Sequence, residues 1–229
     1  MSFYARLLAE TAAERDALIA TPIIQDCLRG EVALESYLAF LGEAYHHVRH
    51  TVPLMQACKS ALQDRQRWLE PALDEYIEEE AGHDEWILGD IDAAGGDSKA
   101  VREGEPGHAA DAMVAYAYDT IARRNPLGFF GMVHVLEGTS VSLALLAADR
   151  IQQGLGLPDT AFRYLRSHGT LDQVHTAHFA ALMDAIENPD DQADIVRAAR
   201  RFYRLYADVF RGLPRPDADS LPPREARAA

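Results

Sequence analysis

Carboxylates and imidazoles recur in this chain at spacings that suit metal ligation. In Ser167-His168-Gly169-Thr170-Leu171-Asp172-Gln173-Val174-His175, His168, Asp172 and His175 stand at i, i+4 and i+7. At about 100° per residue, a helix would keep all three on one narrow face. Glu80 and His83 form a Glu-x-x-His pair, Glu43 precedes His46 by the same interval, and Glu137 stands in an apolar run. Imidazole and carboxylate together suit a redox-capable iron or manganese ion, and zinc less obviously. Each set alone is also compatible with the polar outer face of an amphipathic helix.

The elements that carry these residues read as helices. Residues 3–20 form an amphipathic helix stopped by Thr21-Pro22, and residues 32–62 form a long one kinked or interrupted at Pro53. In the latter, Leu34, Leu38, Leu41, Tyr45, Val48 and Val52 make the apolar stripe, with Glu43, His46, His47 and His50 opposite. Residues 64–94 read as a third helix, in which Leu73, Tyr76, Ile77 and Ile87 lie within about 60° of Glu80 and His83, turning that pair inward. Glu78, Glu79 and Glu85 point away. A loop at 95–108, a helix from Ala109 to about Asn125 and a new start at Pro126 follow.

Between Leu127 and Ala148 the only ionisable residues are His134 and Glu137. Polar residues in the middle of that run and amphipathic helices on both sides favour the centre of a soluble bundle over a membrane span. An unpaired carboxylate there would cost several kcal/mol, which calls for a metal ion or a buried cation beside Glu137. His134 reads as core or as support for a ligand, and His178 as edge or surface. Gly169 is a poor helix residue and Thr170 with Gln173 spells a capping box, so one helix is expected to end at His168 and another to begin at Thr170. A last amphipathic helix runs from Asp190 to Gly212. The domain is expected to span 1–212, with 213–229, rich in proline, as a disordered tail.

No segment alternates with period two, so the expected class is all-α, with about seven or eight helices. The chain has 229 residues, 48% of them hydrophobic, and its 22 basic against 36 acidic side chains leave a formal charge of -14. That balance disfavours nucleic acid and anionic lipid as partners. Two cysteines, Cys27 and Cys58, and no signal-peptide layout at the N-terminus point to the cytoplasm with both thiols reduced. A homodimer is the expected assembly.

The order Glu43, Glu80-x-x-His83, Glu137, His168-x-x-x-Asp172-x-x-His175 resembles the haem-oxygenase-like diiron oxidase and oxygenase family, whose helical fold is shared with TenA thiaminase-like and PqqC-like proteins. The resemblance covers about residues 5–210. It implies one iron held at Glu80, His83, Glu137 and His168. It implies a second at Glu43, Asp172 and His175, with Glu80 able to bridge. The implied chemistry is O₂ activation on a small amino- or carboxylate-bearing substrate, with manganese as a possible replacement for iron. Four carboxylates and three neutral imidazoles can balance two Fe²⁺ ions. His47, His50, Ser140 and Tyr164 stand near these residues in pattern.

Other readings rest on other residues. A thiaminase-type enzyme wants a cysteine on the central apolar helix, and 127–148 has none. A metal-independent TenA-like or PqqC-like enzyme of cofactor metabolism has no need of so many carboxylates. A ferritin-like diiron bundle needs a second Glu-x-x-His after Glu137. A non-catalytic helical protein with a degenerate site is separated from the rest by metal content.

Overall fold

The computed structural model describes residues 1–215, with the side chains of 170–175 left out, and every regular element among the described residues is helical. The all-α class stands. Twelve α-helices appear among the described residues where seven or eight were expected, chiefly because the long segments are cut. The first becomes α1 (Phe3–Glu10) and α2 (Ala12–Ile19), parted at Thr11, whose hydroxyl donates to the Leu7 carbonyl at 2.7 Å. After α3 (Pro22–Leu28), the second becomes α4 (Leu34–Val48) and α5 (Thr51–Ala61). The break falls at Arg49 and His50 rather than at Pro53. The proline sits in the first turn of α5, where no intrahelical N–H is required of it.

The third segment becomes a 3-10 turn (Asp64–Leu69), α6 (Glu70–Glu80) and α7 (His83–Ala93). Then come α8 (Ser98–Glu103), α9 (His108–Arg123), α10 (Phe130–Leu155), α11 (Arg163–Asp184) and α12 (Pro189–Gly212). The expected boundary after His168 is absent: α11 runs unbroken through Gly169 and Thr170. A Cβ at residue 169 would lie 2.7 Å from Leu145 Cγ, so the glycine lets α11 approach α10 closely enough to repay its low helix propensity.

The apolar helix α10 packs between α11 and α12 and against α3. Pro126–Leu155 is long and apolar enough to cross a membrane by length and composition, and half of its apolar window is buried inside the fold. Phe129, Phe130 and Phe202 are almost fully buried here, each contributing about 1.5–3 kcal/mol by removal from water. The chain stays packed past the expected boundary at 212. Leu213 is buried, Ser36 Oγ donates to the Pro214 carbonyl at 2.7 Å, and Arg215 pairs with Asp26 at 2.6 Å. The rest of the expected tail, 216–229, lies outside the described residues.

Candidate metal centre

Glu80 is the last residue of α6 and His83 the first of α7. Gly82 between them has φ 85°, a left-handed conformation that ends one helix and lets the next begin at once. The pair therefore meets across a break, and not along one continuous helix as its spacing suggested. His83 Nδ1 lies 2.9 Å from Glu80 Oε2, with both side chains nearly out of solvent. The outward assignment of Glu78, Glu79 and Glu85 matches their exposure.

α11 brings the third donor. The His168 ring stands edge-on to that of His83 at 4.8 Å between centroids, and one ligand atom from each of Glu80, His83 and His168 lies within 4.8 Å of the others. Adjacent ligands of one ion are about 3 Å apart and opposite ones about 4.2 Å when each bond is about 2.1 Å. The Glu80–His83 separation of 2.9 Å matches adjacent ligands of one ion, and the 4.8 Å bound on the whole set is close to the span of one site. One carboxylate and two imidazoles, with no thiolate, form a donor set that suits iron.

Asp90, on the same face of α7 two turns beyond His83, fixes α11 in register. Its carboxylate accepts the backbone N–H of Arg163 at 3.0 Å and of Tyr164 at 2.8 Å. Burial pushes its carboxyl up to about 6, against the opposing pull of those two N–H groups. Between the two ends, Arg163 lies over the Trp86 ring at 4.4 Å, Trp86 packs on His83 at 3.9 Å, and Tyr164 packs on His168 at 4.8 Å. Sequence reasoning missed Asp90, although a carboxylate set among Ile87, Leu88 and Ile91 was a visible signal.

A cavity of about 180 Å³ runs beside this cluster, and Glu80, Glu137 and His168 all line it. Glu137 therefore shares the chamber with two of the three clustered donors. Glu43 does not join them: its Oε1 accepts the N–H of Gly107, at the start of α9, at 3.0 Å. Burial raises the Glu43 carboxyl and that N–H partly offsets the rise. From α4 the cavity wall takes Ser36, Tyr37, Phe40, Val48 and His47, the last of these one turn beyond Glu43. Asp172 and His175, as side chains, lie outside the described residues.

The remaining histidines separate cleanly. His134 is a core residue, with Nε2 3.3 Å from the Thr11 hydroxyl. His50 Nδ1 lies 3.2 Å from the Tyr118 hydroxyl, and His178 is exposed near Glu75. The central helix carries no cysteine, but Cys27 reaches the cavity wall from α3. Burial pushes its thiol up to about 11, which keeps it protonated and a weak nucleophile at neutral pH.

Residues 38–207 match a family described as iron-containing redox enzymes. No curated protein matches this sequence. Among solved structures, a domain of unknown function with a heme oxygenase-like fold from Shewanella denitrificans superposes with a TM-score of 0.80 at 21% identity, covering 90% of each chain. A TenA homologue from P. horikoshii gives 0.75 at 9% identity, covering 92% of this chain and 97% of the other. Heme oxygenase-1 from Synechocystis, solved with heme, gives 0.72 at 14% identity over 92% and 91%. At these identities the likeness is one of fold.

Proposed function

Since the chain belongs to the family of iron-containing redox enzymes, we propose that it is a non-haem diiron oxidoreductase that uses O₂ to oxidise a small metabolite bound in the cavity beside Glu80 and His168. The observation that carries this reading is the convergence of Glu80, His83 and His168 from three helices at a buried point beside a chamber that Glu137 shares. In this reading Glu80, His83, Glu137 and His168 hold one iron. Asp172 and His175, which follow His168 by one and two turns on the unbroken α11, would hold the second together with Glu80. Glu43 is left out, because its carboxylate is engaged at Gly107.

Bound iron would supply O₂ binding and the electron transfers of the reaction. The chain supplies the rest. Glu80 and Glu137 place negative charge against the cations inside a low-dielectric wall, where that charge acts strongly. Leu54, Met55, Phe129, Met132 and Leu136 line the chamber and keep water from the reacting carbon. Neither lysine nor arginine is among the described lining residues, so a substrate carboxylate would find its counter-charge only at the metal. The substrate is thus a small molecule with an apolar body.

Oxygen uptake tests the reading. Protein loaded anaerobically with Fe²⁺ and then exposed to O₂ should consume it faster than metal-free protein, and His168→Ala should abolish the difference. Equal uptake with and without iron would overturn the proposal.

A further inference from the structure

Several polar atoms on the cavity wall, apart from the clustered donors, make no hydrogen bond among the described residues: the Ser140 hydroxyl is one, and the neighbouring rings of His47 and Tyr206 supply two more. His47 is 1% exposed and lines the wall, with Nδ1 2.8 Å from the backbone carbonyl of Glu43. A carbonyl only accepts, so Nδ1 carries the proton and Nε2 of the neutral ring is a bare acceptor. Burial, the largest influence, holds the ring down to about 4, so it is neutral at physiological pH. Nε2 makes no hydrogen bond among the described residues.

Tyr206, on α12, is 7% exposed and lines the same wall. Its ring stands 5.8 Å from that of His47 at 78° and is held from behind by Phe210 at 4.9 Å, which stacks in turn on Phe40. Its hydroxyl also makes no hydrogen bond among the described residues, and burial alone raises it. Tyr37, elsewhere on the wall, shows the contrast: its hydroxyl donates to the Ala161 carbonyl at 2.6 Å. A donor and an acceptor on neighbouring rings of one cavity wall, each without a protein partner, suit a ligand that meets both.

The pair selects its ligand chemistry. A carboxylate would set a negative oxygen against the His47 lone pair, in a chamber that already holds Glu31, Glu80 and Glu137. An ammonium would leave the Tyr206 O–H without an acceptor. A hydroxyl or a carboxamide offers both a donor and an acceptor and carries no charge. We propose that His47 and Tyr206 form a substrate-binding subsite, separate from the metal ligands, that holds a neutral donor-and-acceptor group such as a carboxamide or hydroxyl on an otherwise apolar substrate. This rests on the reading of the cavity as the substrate chamber.

The test uses the full chain, with and without Fe²⁺, and four probes of one chain length: hexanamide, hexan-1-ol, hexanoate and hexylammonium. Calorimetry should show hexanamide and hexan-1-ol binding the metal-free protein at least about fivefold more tightly than the two ions. Tyr206→Phe and His47→Phe should each weaken hexanamide by about fivefold, non-additively when combined, and His47→Gln should recover part of the loss. Unchanged hexanamide affinity in both single variants, or tightest binding of hexanoate, would overturn the subsite. Iron content is measured in parallel. Loss of iron in Tyr206→Phe would also overturn it, by moving the residue into the metal site. Wild-type protein that takes up no iron, while hexanamide binding still depends on the pair, would leave the subsite standing and end the diiron reading.

Discussion

Asp90 anchors the helix that carries His168: its carboxylate accepts the backbone N–H of Tyr164 at 2.8 Å, one turn before the histidine on the same helix. Because Asp90 is itself two turns beyond His83, one side chain ties the two imidazole-bearing helices together. Asp90→Ala should cost about 1–3 kcal/mol of stability, from two half-buried N–H groups that lose their acceptor. It should also weaken iron binding more than an equally destabilising core change such as Ile195→Val or Leu182→Ala. Chemical denaturation combined with iron titration checks this. Equal iron affinity at matched stability would reduce Asp90 to a structural role.

Glu43 and His83 should part company on substitution. Glu43→Gln removes a charge that faces Gly107 and keeps an acceptor for its N–H, so stability should change by less than about 1 kcal/mol, with iron content close to wild type. His83→Ala should lose most of its iron. Metal analysis of the two variants side by side decides the matter, and identical losses would return Glu43 to the ligand set.

These contrasts show what could be read from residue spacing and what could not. The helical angles that turned Glu80 and His83 inward assumed a continuous helix, whereas Gly82 breaks it and the pair meets across the break. Glycine at that position was legible as a stop signal. Gly169 was read as a second stop, yet it lies inside α11, because the deciding contact is with Leu145 on another helix and leaves no trace in local sequence. On α4, Glu43 and His47 were read on one polar face, and the cavity takes His47 but not Glu43. The partner that draws Glu43 away, Gly107, is 64 residues distant in the chain. The all-helical class and the apolar central helix were legible because they depend on long periodic runs, which single contacts cannot reverse.

Acid should destabilise the fold through its buried imidazoles. Burial holds both His47 and His134 down to about 4 in the fold, against an ordinary 6.5. As pH falls below 6.5 the unfolded chain takes these protons first, so the stability they contribute is full above 6.5 and drains between 6.5 and 4. The loss is on the order of 3 kcal/mol for each ring. Asp90 acts with the opposite sign. Its carboxyl, raised to about 6, takes a proton in the fold before it does in the unfolded chain, offsetting part of the loss over the same window. His134→Gln should therefore flatten the stability profile between pH 6.5 and 4, as followed by urea melts. A profile parallel to wild type would contradict the assignment.

Cys27 lines the cavity but should not react there. With its thiol pushed up to about 11, alkylation by iodoacetamide should be far slower than for an ordinary cysteine at pH 8 and should accelerate as pH approaches 11. Cys27→Ser should retain iron and O₂ consumption. Loss of all activity in that variant, with iron intact, would instead favour a metal-independent, thiol-based enzyme.

The most direct measurement is the iron content of the purified full chain after anaerobic loading with Fe²⁺ and removal of excess metal. Wild-type protein should hold about two iron ions per chain, and its melting temperature should rise with iron because only the fold binds the ions. Both the iron and the rise should collapse in His83→Ala and His168→Ala, and they should fall sharply in Glu137→Gln, which keeps shape and removes charge. A wild-type stoichiometry near zero, or iron retained unchanged in all three variants, would contradict the account at its centre.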